Sequence, residues 1–494
     1  MRYEHIVNYL VETAGESFTD AGLSDQRVNK LTEAGIAEAL CRYICGVADD
    51  SGNDFFKMDE DGMMYVYNER YFELIPKETL LSIIVEVLKR KNVGVVYRMG
   101  SAKLIRDYVM DMLFGDERCR WEPNRHYLVF NNGVLSLDDM KLHPFDVKYK
   151  TDIVMDFDYV PGTHSALWDK VLCQTVPDEH SRQTFQQFCG CFLADRTEYK
   201  IEYICFVIGE GQNGKSIICK AAINIFRPEV ASSYNPDQLF KGQGTQVDYR
   251  LADVNGKIVN YCDDVSNKDF SGGEFKAFIS GGEFTGRHPY SHRPTKVTKV
   301  PLMLCCANKM PPTTDDTEGY FRRFLIIVAP NHVDERDKDP MLEMKLKAPE
   351  VKTAIFNWIL EGYKTFIKNE GKIDIAASVK EVVEEMKENS NSLRRWISEF
   401  GYGKVEPIGP HDANWKSLKQ WCQEYITYCN DFGETPKNKS SVIDMFKRME
   451  LEKSRRSDGM WYCMGVVEKK EEKKVEEDMP AFGDNLIDDP DLPF

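Results

Sequence analysis

The segment GEGQNGKS, residues 209–216, contains the residue types that most directly indicate chemistry. It fits the phosphate-binding pattern G-x-x-x-x-G-K-[ST], with an apolar strand-like run before it and an apolar helical pattern after it. Gly209, Gly211 and Gly214 would let the backbone fold tightly and point its N–H groups at phosphate oxygens, and the start of the helix adds partial positive charge. Lys215 would reach the β- and γ-phosphates, and Ser216 would hold Mg²⁺. The residues expected to bind ATP are Gly209, Glu210, Gly211, Gln212, Asn213, Gly214, Lys215 and Ser216.

Polar residues beside three later apolar runs would complete a site for ATP hydrolysis. KIVNYCDD ends in Asp263 and Asp264, of which Asp263 would organise Mg²⁺ through water and Asp264 would orient or activate the attacking water. VPLMLCCAN ends in Asn308, whose amide would bind the γ-phosphate or the lytic water, although an asparagine shortly before a proline is also typical of a turn. GYFRRF places Arg322 and Arg323 just ahead of a strand. An arginine there would stabilise transition-state charge in a neighbouring subunit's site, and a salt-bridged or solvated pair is the alternative.

The elements that must position these residues alternate along the chain. Strand-like runs such as YICFVIG, KIVNYCDD, VPLMLCCAN and FLIIVAP are separated by helical runs such as KSIICKAAINIF and EFKAFISG. This alternation predicts an α/β domain with a mostly parallel sheet.

The rest of the chain divides by pattern and composition. Before the α/β domain, Asn132-Gly133 indicates a turn between strands, and TDIVMDFDYVPG is interpreted as a further strand. After it come helical patterns, then two helices and a strand pair typical of a winged helix, then a charged tail expected to be disordered. The predicted domains are an N-terminal α+β region 1–120, a domain 121–197 that precedes the ATPase, the ATPase 198–340, helices 341–400 that follow it, a winged-helix-like domain 401–466 and a disordered acidic tail 467–494.

The ordered set GEGQNGKS, NYCDD, a basic stretch, CCANKMPP and GYFRRF resembles the helicase domain of superfamily 3, an AAA+ ATPase with a P-loop core. The closest likeness is to primase-helicases of phages, plasmids and nucleocytoplasmic DNA viruses. It extends upstream to FNNGVLSL and downstream to FNWILEGYKTFI, covering roughly residues 120–400, with a looser match to the C-terminal winged helix. The resemblance implies a homo-hexameric ring, an inter-subunit arginine, and ATP-driven translocation on single-stranded DNA with opening of forked duplexes.

Members of that family carry a DNA-gripping hairpin between the aspartate pair and the asparagine. The corresponding stretch here is GGEFTGRHPYSHRPTKVTKV, whose cations and aromatic ring suit phosphate contacts and base stacking. Without the family order, a solvated basic loop would be the default interpretation. The expected DNA-contacting residues are Arg287, His288, Tyr290, His292, Arg293, Lys296 and Lys299.

The chain departs from the family pattern in two places. Many members have glutamate where Asp264 stands, and a shorter side chain makes the role of a base less certain there. Many also carry an N-terminal primase domain, for which Asp156 and Asp158 are the only candidate metal ligands here. A helicase without its own primase is therefore favoured, and a primase-helicase or a non-unwinding AAA+ initiator or scaffold is the alternative.

Composition limits the cellular setting. The net charge of −16 does not exclude a nucleic-acid partner, because binding depends on local basic surface. The 14 cysteines form no Cys-x-x-Cys pairs, which argues against structural zinc and a disulfide framework. No apolar run is long enough to cross a bilayer, so a cytoplasmic protein is expected.

The sequence DDPDLPF at the C-terminus resembles the tip of bacterial single-stranded-DNA-binding proteins. A terminal aromatic ring and carboxylate can enter a basic-rimmed pocket while nearby acids contact Lys and Arg. Such a tip would recruit a host primase or another protein that binds these tails, and a solubilising acidic tail is the alternative. The partner-binding residues would be Asp488, Asp489, Asp491, Leu492, Pro493 and Phe494.

Overall fold

The structure is a computed structural model that describes residues 3–20, 36–38, 40–41, 55–90, 99–240, 245–289, 294–313, 315, 317–334, 336, 338–409, 412–431 and 436–467. The chain divides into two compact units, Met1–Ser390 and Asn391–Phe494. Within these ranges, each helix is too short or too polar to span a membrane. The predicted acidic tail lies outside the described residues from residue 468 onward, and its six predicted partner-binding residues lie outside with it.

The first unit begins with an antiparallel sheet covered by helices. Its elements are α1 (Glu4–Asp20), β1 (Phe56–Met58), β2 (Met64–Tyr67), β3 (Phe72–Ile75), α2 (Lys77–Arg90) and α3 (Met99–Gly115), with the strands in the order β1-β2-β3. In α2 the buried residues are Leu80, Ile83, Ile84, Val87 and Leu88. Their spacing of three and four residues puts them on one face of the helix, which packs into the apolar core of this region.

A second antiparallel sheet and two helices follow. They comprise β4 (Tyr127–Phe130), β5 (Gly133–Ser136), β6 (Leu142–His143), α4 (Ala166–Thr175) and α5 (Glu179–Gly190). The predicted turn at Asn132-Gly133 joins β4 to β5, with Gly133 at φ 152°. Single turns of 3-10 helix occupy Glu117–Cys119, Val147–Tyr149, Cys191–Leu193 and Pro228–Val230.

The strand predicted for TDIVMDFDYVPG is wrong. Only Val154 makes a β-bridge, to Val129, and the segment forms no regular ladder. The amide of Asn132 accepts from the N–H of Tyr159 at 3.0 Å and donates to its carbonyl at 2.9 Å. Backbone bonds to Val129 and Asn131 extend as far as Phe157, and at Tyr159 the side chain of Asn132 takes their place.

The α/β domain carries the predicted parallel sheet. Its elements are β7 (Ile204–Ile208), α6 (Lys215–Ile223), β8 (Ala231–Ser232), α7 (Pro236–Phe240), α8 (Thr245–Val254), β9 (Val259–Cys262), α9 (Gly273–Ile279), β10 (Phe284–Gly286), β11 (Thr295–Val297), β12 (Leu302–Ala307), α10 (Glu318–Phe321) and β13 (Phe324–Val328). The described residues form a five-stranded, all-parallel sheet in the order β13-β7-β12-β9-β8, and β10 pairs with β11 as a separate antiparallel hairpin. The expectation of an α/β fold with a mostly parallel sheet is confirmed.

Three further helices close the first unit: α11 (Leu342–Leu346), α12 (Pro349–Lys368) and α13 (Ala377–Asn389). Helix α12 packs against α5 with glycine on both sides of the contact. A Cβ on Gly190 would lie 2.2 Å from the backbone nitrogen of Tyr363, and one on Gly362 would lie 2.1 Å from the carbonyl oxygen of Gln186. Residues that precede the α/β domain in the sequence and residues that follow it therefore share one apolar core.

The second unit contains α14 (Ser392–Glu399), β14 (Tyr402–Gly403), β15 (Trp415–Ser417), α15 (Leu418–Asp431), α16 (Lys439–Arg448), β16 (Lys453–Arg456), β17 (Gly459–Cys463) and β18 (Gly465–Val466). Strands β15, β17 and β16 form one antiparallel sheet, and β14 pairs with β18. Trp396, Trp421, Tyr425 and Phe446 occupy the core.

Candidate functional site

The carboxyl ends of the central strands bring the predicted catalytic residues to one edge of the sheet. Gly209 follows β7, Asp263 follows β9 and Asn308 follows β12. Ala307 pairs with Ile208 in the sheet register, so Asn308 and Gly209 leave the sheet at the same level. Ligands of open α/β sheets bind at such an edge, outside the carboxyl ends of the strands.

Gly209 needs to be glycine because of its neighbours. Its φ is 158°, and a Cβ on it would lie 2.2 Å from Nδ2 of Asn213 and 2.3 Å from the carbonyl oxygen of Ala329. The same Nδ2 donates a 2.8 Å hydrogen bond to the Ala329 carbonyl. The buried side chain of Asn213 therefore ties the loop to the residue that follows β13.

The other two loop glycines differ from each other. Gly214 has φ 80°, and a Cβ on it would lie 2.5 Å from Oγ1 of Thr175. Gly211 has no positive φ, and no heavy atom lies within 4 Å of the position a Cβ would take. Neither the backbone conformation nor the surroundings of Gly211 require a glycine there, and its expected role around a bound phosphate stays a prediction.

This difference gives a matched pair of variants. Gly214→Ala is expected to lower the free energy of unfolding by about 1–3 kcal/mol, because alanine is strained at positive φ and its methyl group meets Thr175. Gly211→Ala is expected to change it by less than about 0.5 kcal/mol. Urea unfolding of both variants measures the difference, and equal destabilisation would contradict this account of the loop.

Lys215 lies at the centre of the loop. Its ammonium Nζ donates to the carbonyl oxygens of Gly209 at 2.5 Å and Glu210 at 3.0 Å, and to Oδ1 of Asn213 at 2.9 Å. It also lies 3.4 Å from Oδ1 of Asn308, so the fold brings these two predicted residues together. Burial lowers the pKa of Lys215, which is 7% exposed. A buried cation at the centre of the loop and at a helix start fits an anionic phosphate group.

Asp263 is held by two residues that sequence reasoning missed. Lys220 Nζ lies 2.7 Å from Oδ2 of Asp263, and the Tyr261 hydroxyl donates to Oδ1 at 2.6 Å. Partial burial opposes the shift, but hydrogen bonds from Lys220, Ser216 and Tyr261 lower the pKa of Asp263. Lys220 had a signal in the sequence, because it lies four residues after Ser216 and hence on the same helix face.

The Ser216 hydroxyl contributes to the lowered pKa of Asp263, which places the two side chains near each other. Hydroxyl and carboxylate oxygens are the ligands that Mg²⁺ prefers, so this pair fits the expected metal. Asp264 is exposed beside them, and its charge acts on Lys215. Its backbone carbonyl accepts from Nδ2 of Asn235 at 3.1 Å.

The two predicted arginines lie at the opposite edge of the sheet, because they precede β13 while the loop follows β7. A strand of this length separates the two edges by ~17 Å. The Arg322 side chain is 55% exposed and lies 3.4 Å from Oε2 of Glu202. Arg323 is buried and donates to the carbonyl of Gly319 and to Oγ of Ser280. Of the pair, Arg322 is the one whose guanidinium is open to solvent.

The β10–β11 hairpin contains the described part of the predicted DNA-contacting segment. Tyr290, His292 and Arg293 lie outside the described residues. His288 lies 3.7 Å from Oδ2 of Asp61, and the Thr295 hydroxyl donates to Oδ1 of Asp61 at 3.1 Å. An acidic residue from the β1–β2 turn therefore contacts this hairpin.

The other described cations of the segment each have different surroundings. Lys296 pairs with Glu283 at 3.0 Å across the hairpin. The guanidinium of Arg287 lies over the ring of Tyr249, 5.6 Å from its centre. Lys299 is exposed and lines a cavity of about 90 Å³ at the amino edge of the sheet.

The alternative metal ligands Asp156 and Asp158 are not grouped with further acids. Asp156 forms a 2.6 Å ion pair with Lys352, and the backbone carbonyl of Asp158 accepts from Thr353 at 2.7 Å. Within the described ranges, no three His, Cys, Asp or Glu side chains are arranged to hold a metal ion.

Comparisons with known proteins match most of the chain to solved structures and two of its segments to protein families. Solved structures that match include three of the NrS-1 C-terminal region, two of them described as an A form and all as apo. They are 12%, 13% and 14% identical, cover 83% of this chain and 95% to 96% of those chains, and have TM-scores of 0.48, 0.47 and 0.45. Residues 47–193 match the family described as D5 N terminal like, and residues 207–323, which include most of the candidate site, match a family of unknown function, DUF5906. Two consecutive segments of the chain are thus similar to the D5 N terminal like family and to DUF5906.

Proposed function

We propose that the protein is an ATP-dependent, hexameric DNA helicase of the primase-helicase kind found in phage, plasmid or viral DNA replication. The observation that carries the proposal is the carboxyl edge of the parallel sheet, where Lys215 lies 3.4 Å from Asn308 beside the Ser216–Asp263 pair. The match to a D5 N-terminal-like family and the order of motifs support the same assignment. On this proposal the α/β domain is an AAA+ core of superfamily 3.

Each residue at this edge would have its own role in ATP hydrolysis. Lys215 and the loop N–H groups would hold the phosphates, and Ser216 with Asp263 would hold Mg²⁺, which neutralises phosphate charge when bound. Lys220 and Tyr261 keep the Asp263 carboxylate ionised and in place. Asp264 would orient or activate the attacking water, and Asn308 would contact the γ-phosphate or that water.

The ring is proposed from the position of Arg322. At the amino edge of the sheet, its exposed guanidinium is too far from its own loop to act there. A head-to-tail contact between subunits can place this edge of one chain against the carboxyl edge of the next. Arg322 would then stabilise the transition state in the neighbouring site.

The described DNA-contacting candidates are Arg287, His288, Lys296 and Lys299. Glu283 pairs with Lys296 and Asp61 lies beside His288, so a phosphate backbone would have to displace these carboxylates. Lys299 is exposed beside them. We assign single-stranded DNA to this surface.

The winged-helix interpretation of residues 401–466 remains part of the proposal. Two helices, α15 and α16, precede the β16–β17 hairpin, which is the order that interpretation expects. Recruitment of a host primase through the C-terminal tip is likewise proposed from the sequence alone.

The test of the proposed function is ATP hydrolysis with and without single-stranded DNA at a stated salt concentration. DNA-stimulated turnover followed by opening of a forked duplex is expected. Turnover that ignores DNA would favour another AAA+ role. An assembled ring without turnover would favour a scaffold that only binds nucleotide.

The assignment of DNA binding to the hairpin surface predicts that removing its lysines weakens that binding. Replacing both Lys296 and Lys299 with alanine is expected to weaken single-stranded DNA binding and to reduce the slope of its salt dependence by about 0.7 for each phosphate that is no longer neutralised. Turnover without DNA should not change, because both residues lie away from the loop edge. Lys268→Ala, at a lysine that is 72% exposed, is the matched control. An unchanged salt slope in the double variant would refute the assignment.

A further inference from the structure

A surface cavity of about 450 Å³ in the second unit belongs neither to the candidate nucleotide site nor to the β10–β11 hairpin. It is formed by the end of α14, by β14 and by one face of α15. Four of its lining residues are aromatic: Trp396, Phe400, Tyr402 and Tyr428.

The aromatic rings pack against one another around the cavity. Phe400 stacks on Tyr402 with ring centres 5.6 Å apart and an angle of 11° between planes, and it meets Tyr428 edge to face at 6.0 Å. Trp396 meets Tyr402 edge to face at 5.3 Å. Phe400 is nevertheless 49% exposed. The faces of such rings carry negative potential and attract cations.

The rim of the cavity is acidic. Glu399, Glu424 and Asp431 line it, whereas no lysine or arginine does so among the described residues. Glu424 pairs with Lys416 at 2.6 Å, and Glu399 accepts a 2.7 Å hydrogen bond from the Tyr428 hydroxyl. Neither Glu399 nor Asp431 forms an ion pair with a cation in the part of the chain that the structure describes. The negative charge of these two carboxylates is therefore available to a ligand.

We propose that this cavity binds a lysine or arginine side chain from a basic segment of a partner protein. The half-exposed ring of Phe400 would contact the cation and its alkyl stem, and Glu399 and Asp431 would supply the counter-charge. Nucleic acid is disfavoured, because its phosphates would meet the same carboxylates. This site does not depend on the proposed helicase function.

The test uses the full chain and a fluorescein-labelled peptide, Gly-Arg-Gly-Lys-Gly, with glutamate in place of Arg and Lys in a control peptide. Fluorescence anisotropy should show saturable binding of the basic peptide only. Phe400→Ala and Glu399→Gln should each weaken binding by about fivefold. Glutamine keeps an acceptor for the Tyr428 hydroxyl, so Glu399→Gln tests the charge rather than the fold.

The matched controls are Phe114→Ala, at an exposed phenylalanine of the first unit, and Glu406→Gln, at an exposed carboxylate of the second. Both should bind the peptide as the unmodified chain does. The proposal is overturned if the basic peptide does not bind at millimolar concentration or if the acidic peptide binds equally. Unchanged affinity in Glu399→Gln would overturn it as well.

A segment of the same chain is the competing occupant. A full-length variant with glutamate at Lys469, Lys470, Lys473 and Lys474 addresses it. If only this variant binds the peptide, the chain's own basic residues occupy the cavity in the unmodified protein. The proposal of a partner protein is then overturned. Equal binding by this variant and the unmodified chain supports the proposal.

Discussion

Lys215→Met is expected to reduce ATP turnover by at least about 100-fold, the loss typical of removing one charge-stabilising group from an active site. In the structure the ammonium is surrounded by loop oxygens and lies 3.4 Å from Asn308. Phosphate oxygens would therefore lose the cation around which the loop is built. Methionine retains the length and apolar stem of lysine, so packing beside the loop should be preserved.

The fold of this variant should stay intact. Burial lowers the pKa of Lys215, so losing the charge itself is favourable, and this partly offsets the hydrogen bonds that the loop oxygens lose. Turnover, ATP affinity and the melting temperature of purified protein measure the three effects separately. Lys364→Met, at a lysine that is 42% exposed in α12, is the control and should behave as the unmodified chain. Full turnover in Lys215→Met would contradict the proposed role of this site in ATP hydrolysis.

Arg322→Ala is expected to reduce turnover by about 1000-fold or more if the residue acts on a neighbouring subunit. Each variant chain keeps its own loop, Lys215 and Asp263, so ATP affinity should change little. Arg323→Ala should act differently. Arg323 is buried and donates hydrogen bonds to Gly319 and Ser280, so its loss should lower the melting temperature.

Mixing the two inactive proteins tests the location of the arginine. A site that combines the loop of an Arg322→Ala chain with the arginine of a Lys215→Met chain is complete. Random equal mixing makes about one quarter of the interfaces complete, so turnover should reappear. Turnover that stays absent from mixed rings, or normal turnover in Arg322→Ala alone, would contradict an arginine supplied in trans.

The parts of the site that follow from short-range patterns were predictable. The phosphate-loop motif, the strands before Gly209, Asp263 and Asn308, and the turn at Asn132-Gly133 each depend on a few neighbouring residues. A parallel sheet then places strand ends together without further information. The convergence of Lys215 and Asn308 is a consequence of this topology.

Other features depend on contacts between distant segments, and the sequence does not reveal them. The approach of Asp61 to the β10–β11 hairpin joins residues 234 positions apart. The difference between Arg322 and Arg323 arises from which side chain packs against Ser280, and the Thr175 hydroxyl beneath Gly214 comes from a separate helix. The segment TDIVMDFDYVPG forms one β-bridge rather than the predicted strand, and its pairing ends where the amide of Asn132 takes the backbone bonds of Tyr159.

The glycine contact between α5 and α12 constrains how the protein can be made. Gly190 and Gly362 meet across 172 positions of chain (362 − 190), and the whole phosphate-binding sheet is encoded between them. Because a ribosome synthesises the chain from its N-terminus, α5 emerges long before α12 is made. Until α12 follows, the apolar face of α5 lacks its covering helix. Premature termination anywhere in this interval would therefore leave an aggregation-prone fragment rather than a smaller folded domain.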